Sequence, residues 1–70
     1  MMKTKTAILS IDNLTEASMS GLSQILQAVS GVEEVDFSLE REVAVVEFDP
    51  ASTTVEDIVR AILVKGYKVK

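Results

Sequence analysis

The sequence predicts an α+β sandwich: two helices over a four-stranded antiparallel sheet, in the element order β-α-β-β-α-β. Three observations carry that prediction. Four short segments alternate apolar and polar residues at the period of a strand. Two segments place apolar residues along one helix face. Asp, Asn, Pro and Gly mark the joints between them.

The first strand is predicted over Thr6 to Ile11, with Ala7, Leu9 and Ile11 facing the core and Ile8 apolar on the other side. Asp12-Asn13 is turn chemistry, because their short side chains bond to nearby backbone. Thr15 or Ser18 can then cap a helix. Leu22, Ile25, Leu26 and Val29 form its apolar stripe, and Gly31 is the predicted stop. The opposite face, Ser20, Ser23, Gln24 and Gln27, carries no charge, unlike an ordinary solvated helix.

In the second strand Val35, Phe37 and Leu39 alternate with Glu34, Asp36, Ser38 and Glu40, which gives one wet face. Glu40-Arg41-Glu42 is a turn without Gly or Asn. The third strand turns Ala44, Val46 and Phe48 inward and Val43 and Val45 outward. Asp49-Pro50 ends it, since Pro cannot donate to a ladder. Thr53 with Glu56, or Thr54 with Asp57, makes a capping box for the second helix. Its stripe is Val55, Ile58, Val59 and Ile62, and Gly66 closes it. Tyr67 and Val69 form a last short strand, with Lys68 and Lys70 outward. Two helices hide on such a sheet only by sharing one face. Right-handed crossovers then give the ferredoxin-like arrangement, with strand order 4-1-3-2.

Seventy residues make one domain, 1–70, with a modest core. Hydrophobic residues at 47% and charged residues at 26% are a globular balance. No apolar run approaches a membrane span, and nothing after Met1-Met2-Lys3-Thr4-Lys5 reads as a signal peptide, so a soluble, cytoplasmic chain is expected. The net charge of −4 repels phosphate backbones, and Phe37, Phe48 and Tyr67 are too few to stack bases. Nucleic acid is therefore excluded as a partner. With no Cys and no His, the usual bases and nucleophiles are missing, and no enzyme is expected.

The chain resembles the heavy-metal-associated domains, small copper and mercury carriers and the N-terminal modules of metal-pumping ATPases. The resemblance runs through Gly31-Val32, Leu39-Glu40, Ala44, Val46 and Phe48-Asp49-Pro50. It continues in Val55-Glu56-Asp57-Ile58, Ala61-Ile62 and Gly66-Tyr67. It implies a Met-Thr-Cys-x-x-Cys loop after the first strand, where two thiolates hold a soft ion near a helix N-terminus. Here Leu14-Thr15-Glu16-Ala17-Ser18-Met19 occupies that loop. Counted from the first strand, the Cys positions fall on Glu16 and Met19. Counted back from Gly31, they fall on Thr15 and Ser18. The one-residue difference reads as a shortened loop. Neither count recovers a thiol, so the thiolate transfer that the resemblance implies has no ligands here.

Two function classes follow. One is a protein-interaction or regulatory module with no cofactor; a link to a metal-transporting ATPase comes by resemblance alone. The other is a heavy-metal binder with altered ligands, for which Asp12, Glu16 and Met19 are the candidates. Met is soft while Asp and Glu are hard, so the set suits neither class of ion. The plainer reading makes Glu16 an acid favoured at a helix N-terminus and Met19 a core or rim residue. Tyr67 stands where the resembled domains place a Tyr near the metal loop; the plainer reading is a ring over the core edge. A protein partner or a second copy could use the sheet face of Ile8, Val43 and Val45. The Ser20, Ser23, Gln24 and Gln27 face is the other candidate.

Overall fold

The computed structural model describes residues 3–70. The reading of Met1 and Met2 as a start without a signal peptide lies outside the described residues. The elements are β1 (Lys5–Ser10), α1 (Glu16–Gln27), β2 (Val32–Ser38), β3 (Val43–Phe48) and α2 (Val55–Val64). The sheet order is β1-β3-β2, both pairs antiparallel. Ala7 and Leu9 of β1 and Ala44, Val46 and Phe48 of β3 turn to the core. There they meet Leu22 and Leu26 of α1 and Ile58 and Ile62 of α2. The alternation read from the sequence is thus the pleat of the sheet, with one face covered by helices.

The expected fourth strand is reduced to one bridge, Ile11 to Val69, flanked by Asp12 N–H to the Lys68 carbonyl at 2.9 Å and Lys70 N–H to the Ser10 carbonyl at 2.8 Å. It lies beyond β1, where the order 4-1-3-2 expects it. The physical reason for its shortness is the end of α2. Gly66 N–H bonds back to the Leu63 carbonyl and Tyr67 N–H to the Ile62 carbonyl, the paired bonds of a Schellman motif. These bonds hold Gly66 and Tyr67 in the helix end, so the chain reaches the edge of β1 only from Lys68.

Several expected positions move. α1 ends at Gln27, before Gly31, and Val29 lies past it. Gly31 instead makes the turn into β2 at φ 97, pressed against Ser52 and Thr53. Leu39 leaves the strand for the turn and is exposed, because β2 ends at Ser38. Glu42 closes that turn at φ 55, and its carbonyl accepts the Ile11 N–H at 2.8 Å. Its carboxylate holds the Lys70 ammonium at 2.7 Å, and this contact raises the lysine pKa. Val55 sits in the first turn of α2 and is exposed rather than in the stripe. Of the two capping choices, Thr54 with Asp57 is used, but as half a box: Asp57 N–H donates to the Thr54 hydroxyl at 3.1 Å, with no return bond to the Asp57 carboxylate. Thr53 is buried.

Candidate functional site

The joint between β1 and α1 forms a cleft of about 360 Å³, lined by Asp12, Asn13, Thr15, Ser18, Gly66, Tyr67 and Lys68. Local chemistry builds its floor. Leu14 is buried in the core and pins the loop between Asp12-Asn13 and the helix. Asn13 adopts φ 59, a conformation that Asn tolerates better than most residues. Thr15 is the N-cap of α1, and its hydroxyl accepts the Ser18 N–H at 3.2 Å. Ser18 answers: its hydroxyl accepts the Thr15 N–H at 2.8 Å and lies 3.3 Å from the Thr15 hydroxyl. This is a complete capping box made with Ser in place of the usual Glu or Gln.

The C-terminal segment makes the other wall. Tyr67 crosses the start of α1, and its hydroxyl sits over Gly21, where any Cβ would collide with it. Lys68 and Asp12 put opposite charges on the rim. The structure thus gathers Thr15, Ser18, Asp12 and Tyr67 in one place. Glu16 is exposed and does not line the cleft, while Met19 packs against the core. Of Asp12, Glu16 and Met19, Asp12 alone lines the cleft. Among the described residues, no three acidic groups could hold one metal ion.

The donor set does not fit a soft ion. Thr and Ser hydroxyls stay protonated at neutral pH and are poor partners for ions that prefer thiolates. Here both are also engaged in the cap. Replacing Thr15 with Ala should remove the box and cost about 1 kcal/mol, a loss of roughly 4–8 °C in melting temperature for a domain of this size. A thermal melt checks this; no change would mean that the helix start is held by other contacts.

The predicted sheet face also forms. Ile8 pairs directly with Val45, and Val43 lies diagonally, opposite Ser10. Ile8 is 68% exposed, while both valines are half-buried. Asp36 and Ser38 flank the valines from β2. On α1, Ser20, Gln24 and Gln27 are exposed and Ser23 is half-buried; Gln27 donates to the Ser23 hydroxyl at 3.0 Å. Sequence reading missed a third surface, the outer side of α2, where Leu63 is 50% and Val64 74% exposed. The signal was present in the spacing: Leu63 and Val64 fall off the Val55, Ile58, Val59 and Ile62 stripe, on the side that carries Glu56, Asp57 and Arg60.

An α+β sandwich with a cleft where the first strand meets the first helix, closed by the residues after the second, defines a ferredoxin-like domain with a loop-based site. The chain belongs to the heavy-metal-associated domain family, whose model matches residues 8–68. Among solved structures, it is similar to oxidized MerP from Ralstonia metallidurans CH34, at 33% identity and a TM-score of 0.88, covering 97% of this chain and 96% of that one. It is similar to the CopZ metallochaperone at 25% identity and a TM-score of 0.87, covering 94% and 100%. It also matches the N-terminal domain of a potential copper-translocating P-type ATPase from Bacillus subtilis, solved in the Cu(I)-loaded state. That match has 28% identity and a TM-score of 0.86, covering 97% and 86%. A comparison with curated proteins found no match. Among the described residues, no helix is long and apolar enough to cross a membrane.

Proposed function

We infer that this chain is a heavy-metal-associated scaffold that acts as a protein-interaction or regulatory module and carries no metal ion. The reading takes residues 1–70 as one non-catalytic domain working in the cytoplasm. One observation carries it: the cleft where a soft ion would be held is floored by Thr15 and Ser18, whose hydroxyls are engaged with each other and with the helix start. A cleft organised in this way supports the helix and offers no thiolate to pass between partners. The surfaces that remain for a protein partner are the Ile8–Val45 face of the sheet and the Ser/Gln face of α1. The likeness to an ATPase N-terminal domain supports a link to metal transport. In that setting, a chain with this shape and no ion to deliver would dock without transfer.

The test is the metal content of the purified chain after expression in copper- and zinc-supplemented medium, read by native mass spectrometry. The expected result is the bare chain mass with well under one ion per molecule. A chain isolated with one ion bound, retained through desalting, would overturn the reading.

A further inference from the structure

The outer side of α2 and its junction with α1 form a surface that no contact within the chain explains. A groove of about 410 Å³ runs between the helices, walled by Ile25, Ala28 and Val29 on one side and Ala61 and Val64 on the other. Asp57, Arg60 and Lys65 complete its rim. Val64 stands 74% exposed beside it, the most exposed large apolar residue described. Val64 shares this side of α2 with Asp57 and Arg60.

We propose that two copies of this chain pair across this groove about a two-fold axis, with α2 antiparallel to its counterpart. The charge pattern of α2 selects a second copy. Glu56 and Asp57 lie in its first turn, and Lys65 caps its last. Placed antiparallel with Ala61 near the axis, Asp57 of one copy faces Lys65 of the other, twice. A parallel pairing would set like charges against each other. Ala61 is small enough to let the helices approach closely. Val64 of each copy then enters the other's groove near Ala28 and Val29, because α1 ends beside the start of α2. Such a self-complementary patch is what a two-fold interface requires.

The Arg60–Asp57 contact within the chain does not compete strongly. It spans 3.9 Å between well-exposed groups and is of the kind worth about 1 kcal/mol or less. An interface of about 500 Å² per copy would take roughly a tenth of the 4676 Å² surface, in the range of weak, reversible association. The dimer does not depend on the metal-free reading, since none of its residues lines the cleft.

Sedimentation equilibrium from micromolar to millimolar concentration tests it. The expected result is a monomer–dimer equilibrium that weakens more than about tenfold in Val64→Glu, about 1.4 kcal/mol. Because Val64 is exposed, that variant should keep its melting temperature. Lys65→Glu should also weaken the dimer, by facing acid with acid, and Asp57→Lys combined with Lys65→Glu should restore it. Ile8→Glu, on the opposite side of the molecule, should change nothing. A wild-type monomer at every concentration overturns the proposal. So does a dimer that survives Val64→Glu but is lost in Ile8→Glu.

Discussion

Replacing Thr15 and Ser18 together with Cys is expected to turn this chain into a tight soft-metal binder, with Zn(II) and Cu(I) affinity rising by at least roughly 1000-fold. The geometry for the gain is in place. The two hydroxyl oxygens are 3.3 Å apart across the start of a twelve-residue helix. Sulfurs there need to open only slightly to share one ion at about 2.3 Å each. The helix N-terminus would stabilise both thiolates. Glu16→Cys with Met19→Cys should gain far less, since Met19 packs inward and Glu16 lies off the cleft. Competition against a chelator of known affinity reads both variants. If the second pair binds and the first does not, the site lies one residue further along than its geometry indicates.

The other large effect is expected in the core. Ile62→Ala should destabilise the chain by about 2–5 kcal/mol, because it removes a fully buried side chain from the layer between α2 and the sheet. A seventy-residue domain has little reserve, with total stability near the low end of about 5–15 kcal/mol. The melting temperature should therefore drop by roughly ten degrees or more, and part of the population should be unfolded at room temperature. Leu26→Ala, equally buried on α1, should behave alike. A drop below about 4 °C in both would mean that the core is not the single layer described.

The fold was legible because its core positions follow simple periods. Ala44, Val46 and Phe48 alternate, Leu22 and Leu26 are one helical turn apart, and all five are buried as their spacing predicts. What the sequence hid depends on hydrogen bonds between segments. The fourth strand is short because the bonds that close α2 hold the chain as far as Tyr67, a choice that no local pattern reveals. Leu39 fits the alternation but falls in a turn whose length is set by Glu42 and its bond to Ile11. Val55 fits the stripe but lies in the first turn of α2 and stays exposed.

The site was half legible. Two counts of the loop disagreed, since each assumed a fixed distance from one flanking element. The capping box decides which residues share the cleft: Thr15 and Ser18 bond reciprocally and face Tyr67. That reciprocity comes from backbone geometry, and a residue count cannot supply it. The exposed Val64 was visible as an apolar letter, but its surroundings depend on how α1 and α2 cross.

The most direct test of the central claim is a titration of the wild-type chain with Cu(I), Zn(II) and Cd(II), followed by amide NMR shifts. A scaffold whose cleft serves to cap its helix should show no saturable change at micromolar ion in residues 12–19 or at Tyr67. Saturable shifts confined to those residues would contradict that account and make the cleft a metal site with oxygen ligands.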